Sequence, residues 1–195
     1  MTEESMVTNL NIRCGIDANL EIMGERGCRI IYRGAGAERF VDNLPPYDFE
    51  PCTTERERNN IIDEVVNILG LKGAIGLWRR MGYLGMKAAK ELGGVLESFE
   101  RLEPDEKFLK ALEVWSVATN EGKIIGRKDG KVDFDVPECQ TCKNYKSERS
   151  ICSSTAGGLQ YISDWAYGKN EFLVKETKCK AKGDETCYYA LTTKD

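Results

Sequence analysis

Five of the chain's eight cysteines fall between Cys139 and Cys187. They arrive as Cys139-Gln140-Thr141-Cys142, then Cys152, Cys179 and Cys187, with Glu176 three residues before Cys179. Thiolates and carboxylates are ligand types that zinc accepts, at about 2.0–2.3 Å and usually four at a time. The chain has no histidine. That excludes Ser-His-Asp and Cys-His nucleophilic systems, HExxH metalloprotease sites and His-ligated haem. Any metal is left to Cys, Asp, Glu or backbone. The expected cofactor is zinc, seated by Cys152, Glu176, Cys179 and Cys187. Cys139 and Cys142 are alternative ligands, replacing Glu176 or Cys152 in an all-thiolate site. The same CxxC spacing also suits a thiol-disulfide couple. The plainest alternative is five buried free thiols acting as small hydrophobes.

The elements that must position these residues can be read from periodicity. Cys179 and Cys187 flank Lys182-Gly183-Asp184, a hairpin turn between strands expected over 171–179 and 186–192. In an ideal strand, positions 176 and 179 point to opposite faces, so the site needs a bulge or strand end near Thr177. Cys152 starts a helix expected over 150–165, with Ala156, Leu159, Ile162 and Trp165 inward and Gly157-Gly158 permitting tight packing. Alternating runs at 123–126 and 131–136, joined by Lys128-Asp129-Gly130, give an earlier hairpin. Upstream the period is helical. Residues 17–34 carry Leu20, Met23, Cys28, Ile31 and Tyr32, interrupted at Gly24 and Gly27. Leu44-Pro45-Pro46 opens an extended connector. Thr53 or Thr54 caps a helix that Gly70 stops, a second runs from about 71 to 92, and a third begins at Pro104. Helices followed by strands, a helix and strands predict an α+β fold: an antiparallel sheet with helices packed on one side.

A length of 195 residues suits one domain, 17–195, with an N-terminal arm at 1–16. The net charge of -4 excludes the clustered positive charge of a nucleic-acid footprint. No apolar run approaches a membrane span, and the acidic start Met1-Thr2-Glu3-Glu4-Ser5 is unlike a secretory signal. The expected location is the cytoplasm, where crowded cysteines serve as metal ligands or redox thiols. No flavin or nicotinamide signature is present, so no enzyme is expected.

The pattern Glu176-x-x-Cys179-x-Ala181-x-Gly183-Asp184-x-x-Cys187, preceded by Cys152 and the Gly157-Gly158 helix, resembles the 4-vinyl reductase family of hydrocarbon-binding, small-molecule-binding domains. Leu69-Gly70-x-x-Gly73 and Leu44-Pro45-Pro46 extend the resemblance over about 17–192. It implies a fold like that of Golgi transport-tether subunits and haem-based nitric-oxide sensors. It also implies zinc on Cys152, Glu176, Cys179 and Cys187, and a homodimer. The function it implies is a stand-alone sensor that binds a small apolar or aromatic ligand. Trp78, Met81, Trp115 and Trp165, on inward helix faces, are the candidate ligand-binding residues, a filled core being the alternative. Among Cys14, Cys28 and Cys52, one lining the pocket would bond a small thiol. Two other functions remain open: a redox switch working through Cys139 and Cys142, and a dimeric interaction scaffold.

Overall fold

The computed structural model describes residues 6–94, 96–119, 122–128, 131–142, 146–168 and 171–193. The chain divides into two compact units, Met1–Leu92 and Gly93–Asp195.

In the first unit, strand β1 (Met6–Thr8) pairs antiparallel with β2 (Pro51–Thr54). Helices α1 (Asn9–Gly34), α2 (Arg39–Asp42) and α3 (Glu55–Gly93) complete it. Thr8 caps α1 by accepting from the Asn11 backbone N–H at 3.4 Å, and Thr54 caps α3 by accepting from Glu57 N–H at 3.3 Å. The two long helices are each broken by a glycine, Gly24 (φ 68°, ψ 177°) and Gly70 (φ 65°, ψ 164°). That region of backbone is open essentially to glycine alone, because a Cβ would meet the flanking peptide. Both breaks match the interruptions read from the sequence. The apolar stripes of α1 and α3 close on one another through Ile16, Ile31, Tyr32, Val65, Ala74 and Leu77. The segment expected as an arm, 1–16, is strand and helix from Met6 onward, and the boundary expected at 16/17 lies inside α1. Leu10, Ile12, Cys14 and Ile16 are buried there on two faces of the helix, Ile12 and Ile16 in one cluster and Leu10 and Cys14 in another, a spacing of two that hides the helix in the sequence.

The second unit is α+β. It runs through helix α4 (Pro104–Thr119), strands β3 (Lys123–Lys128) and β4 (Lys131–Val136), helix α5 (Ser153–Tyr167), and strands β5 (Phe172–Lys178) and β6 (Cys187–Thr193). The strands form one antiparallel sheet in the order β3-β4-β6-β5. The turn expected at Asp129-Gly130 lies outside the described residues. Val132, Phe134, Val136, Val174, Cys187, Tyr189 and Leu191 are buried on one face, following the period-two rule. Ala156, Leu159 and Ile162 of α5 are buried as well, and α5 packs against both α4 and β5. Gln160 locks helix to sheet: its Nε2 donates to Phe172 O at 3.0 Å, and its Oε1 accepts from Val174 N–H at 3.2 Å.

A candidate metal centre

The β5–β6 hairpin carries the first donors. Its register slips between Glu176, opposite Tyr189, and Lys178, opposite Tyr188. The irregularity required near Thr177 is therefore present. One extra residue returns Cys179 to the face that Glu176 and Cys187 share. The turn that follows is held by its own backbone. Cys179 O accepts from Lys182 N–H at 2.9 Å and from Asp184 N–H at 3.3 Å, and Cys179 N–H donates to Asp184 Oδ2 at 2.7 Å. Lys180 N–H donates to the Cys187 sulfur at 3.4 Å.

Cys152 stands at the N-terminal end of α5, and its carbonyl accepts from the buried Tyr189 hydroxyl at 3.2 Å. A helix N-terminus favours negative charge, hence a thiolate. Cys139 and Cys142 bracket a 3₁₀ turn in which Cys142 N–H donates to Cys139 O at 3.2 Å. That turn is tied to the hairpin by Lys180 Nζ donating to Pro137 O at 2.5 Å.

All five sulfurs meet. Cys142 lies 2.9 Å from Cys152 and 3.6 Å from both Cys179 and Cys187, while Cys152 lies 3.3 Å from Cys139 and 3.6 Å from Cys187. All five are buried and none is in a disulfide. Two quartets of donor atoms each lie within 4.8 Å of one another: Cys152, Glu176, Cys179 and Cys187, and Cys139, Cys142, Cys152 and Cys187. A tetrahedron of sulfurs at about 2.3 Å from an ion has edges of about 3.8 Å. Most of the observed spacings are within a few tenths of an ångström of that. The thiolates around an iron–sulfur cluster stand farther apart, because the cluster's own sulfides lie between them.

With protons alone, the cluster is electrostatically divided. Hydrogen bonds from Cys142 hold both Cys139 and Cys179 far below the ordinary thiol range. The Cys139 thiolate and the other sulfurs push Cys152 and Cys187 far up and Cys142 to about 12. Burial, then Cys179, lifts the Glu176 carboxyl to about 9. The donors cannot all ionise together unless a cation joins them, which is the condition under which metal binding displaces protons.

The other sequence candidates sit elsewhere. Trp78 and Met81 are half-buried against the core of the first unit. In the second unit the Trp115 indole lies over Gly158, where an added Cβ would collide with it. The half-buried Trp165 ring faces Lys107 Nζ at 4.7 Å. Cys14 and Cys28 are core thiols, pushed up by burial to about 12 and about 11 respectively. Cys52 is half-buried. Sequence reasoning passed over Asp184 and Tyr189, which fix the backbones of Cys179 and Cys152. The turn signal Gly183-Asp184 pointed to the first, and nothing local marked the second.

No family model matches the chain, and no curated protein does. Solved structures do match it. A structure described as probing heme distortion in the H-NOX family superposes with a TM-score of 0.62 at 16% identity, covering 97% of this chain and 96% of the other. An H-NOX protein from S. oneidensis in the Fe(II)NO ligation state gives 0.63 at 12%, covering 97% and 100%. The phenol-responsive sensory domain of the transcription activator PoxR, with phenol, gives 0.55 at 16%, covering 68% and 71%. The chain therefore has the α+β fold of H-NOX ligand-binding sensor domains, and the fold expectation holds.

Zinc as the cofactor is corrected. The H-NOX structures that share the fold are described with heme, not zinc. The physical reason for the misassignment is that thiolate and carboxylate donors suit several thiophilic ions and do not select zinc among them. Imidazole-ligated haem does not fit this chain either, because it contains no histidine.

Proposed function

We propose that the chain is a small-molecule-sensing domain of the H-NOX fold, with a structural site for one thiophilic metal ion among Cys152, Glu176, Cys179 and Cys187. The observation that carries this reading is the convergence of those donor atoms within 4.8 Å, from a helix end and the two strands of a bulged hairpin. A full set of protein donors leaves no open position for catalysis, so the site braces the fold. Loading it draws the N-terminus of α5 to the β5–β6 turn, and it removes the charge conflict among the buried thiols. Reduced, crowded cysteines suit the cytoplasm.

The ligand in this reading is small and apolar or aromatic, in keeping with the phenol that the PoxR domain holds. The candidate contacts are taken unit by unit: Trp78 and Met81 within the first, or Trp115 and Trp165 within the second. A small thiol bonded to Cys52, and a homodimer, belong to the same reading. The test is metal analysis with thiol counting on full-length protein purified without chelator or reductant. One ion per chain, with the cluster thiols masked until chelator is added and metal lost in Cys179→Ser/Cys187→Ser, is the expected result. Protein with no ion and five freely reactive cluster thiols would overturn the metal site. Tryptophan fluorescence that fails to saturate with phenols would overturn the aromatic ligand.

A further inference from the structure

The two donor quartets share Cys152 and Cys187. Six donors are therefore gathered where a tetrahedral ion takes four. The surplus is ordered. Cys139 and Cys142 bracket one 3₁₀ turn, while Glu176 and Cys179 flank the bulge at the end of β5. Cys142 is 3.6 Å from Cys179, so an ion leaving one meets the other almost in place. Glu176 is turned inward, and its Oε1 is buried with no hydrogen-bond partner among the described residues. A buried polar oxygen left without a partner is costly, and a cation is one group that would satisfy it.

We propose that the centre has two overlapping seats for one thiophilic ion, exchanged by the oxidation state of the Cys139–Cys142 pair. This rests on the metal site proposed above and refines it: the quartet Cys152, Glu176, Cys179 and Cys187 becomes the seat used when Cys139 and Cys142 are oxidised. In the reduced protein the ion sits among Cys139, Cys142, Cys152 and Cys187. When Cys139 and Cys142 are joined, it is retained by Cys152, Cys187, Cys179 and Glu176. The oxidant is a low-molecular-weight disulfide, RSSR. One cysteine sulfur attacks it and expels RSH, and the second cysteine then displaces the other RS group as RSH. One S–S bond forms and one breaks, two electrons pass from the protein sulfurs to RSSR, and protons from the thiols or solvent complete the two RSH molecules. The shared cysteines keep the ion in the fold throughout. The change is therefore a shift of the bracing point, from the 3₁₀ turn to β5, and not a release.

Cobalt(II) reports the donor set, since its thiolate charge-transfer absorbance grows with each sulfur bound. Reduced full-length protein loaded with cobalt, and the same protein after RSSR, are compared by absorbance and by native mass spectrometry. The expected result is one cobalt per chain in both states, a mass loss of two hydrogens, and an absorbance lower by about a quarter as four thiolates become three. Glu176→Gln is expected to hold cobalt when reduced and to lose it on oxidation. Cys139→Ser/Cys142→Ser, checked for native circular dichroism, is expected to show the lower absorbance with or without RSSR. An absorbance unchanged by oxidation, or two cobalt ions per reduced chain, would each overturn the exchange and leave the metal site standing, whereas loss of cobalt from the oxidised wild-type protein would overturn the exchange together with the Cys152–Glu176–Cys179–Cys187 site. Failure of the reduced protein to bind any cobalt would overturn both.

Discussion

Cys139, Cys142, Cys152, Glu176, Cys179 and Cys187 were legible as candidate donors because residue type and spacing limit their chemistry, and the absence of histidine narrowed it further. Their identity as one cluster was less legible. CxxC could have stood apart, and only the tertiary fold brings it against Cys152. Zinc was overcalled because donor softness defines a class of ions and not one member of it. A different residue-scale balance, away from the centre, gives a direct pH test. Arg39 donates twice to the Glu57 carboxylate, once at 2.6 Å, and Thr53 also donates to it. The Arg39 guanidinium holds the Glu57 carboxyl below its usual 4.5. A carboxyl depressed in the folded state contributes stability above its ordinary pKa, and the contribution is lost as pH falls through the folded value. Glu57→Gln is expected to cost about 1 kcal/mol at neutral pH. The gap should close in urea titrations carried below the ordinary carboxylate range. A gap that persists in acid would show that the loss is one of packing.

Element by element, the sequence announced its breaks well. Gly24, Gly70, the prolines at 45 and 46 and the bulge near Thr177 were all read from local rules, because each is forced by backbone sterics or by side-chain alternation. The start of α1 was missed, since Leu10, Ile12, Cys14 and Ile16 alternate with polar residues or glycine: in the helix they fall on two faces, each buried in its own cluster, and leave no single apolar stripe to read. The small residues of α5 have a packing role that spacing only suggested. Gly158 lets the Trp115 indole lie directly on the helix, where a Cβ would intrude. Glycine is otherwise unfavourable in a helix by about 1 kcal/mol relative to alanine. On an open face Gly158→Ala would therefore stabilise. At this contact overpacking reverses the sign, with an expected net loss of about 1–3 kcal/mol in denaturant unfolding. Trp115→Leu should relieve much of it in the double variant, and additivity of the two changes would argue against their contact.

At the scale of the whole molecule, the fold class was legible. The contacts also separate into two compact units at Leu92/Gly93, which no sequence pattern marked. Helical and period-two patterns specify elements, but they carry no information on which elements share a core. The same limit applies to Trp78, Met81, Trp115 and Trp165, which were grouped as ligand-binding candidates from inward helix faces alone. In the proposed reading, metal binding would act on the stability of the whole chain, because the candidate donors converge only in the folded state. An ion that binds the native form alone stabilises it by about 2.7 kcal/mol when its free concentration is a hundred times Kd. For a chain of 195 residues that corresponds to roughly 5–10 °C in Tm, at about 2–4 °C per kcal/mol. Stripping the ion with a chelator is therefore expected to lower Tm by that amount, and restoring a thiophilic ion should recover it in proportion to the logarithm of its concentration. Cys179→Ser/Cys187→Ser should melt at the lower temperature throughout and ignore both treatments. A wild-type Tm indifferent to chelator would mean that the buried sulfurs stabilise the fold as apolar packing alone.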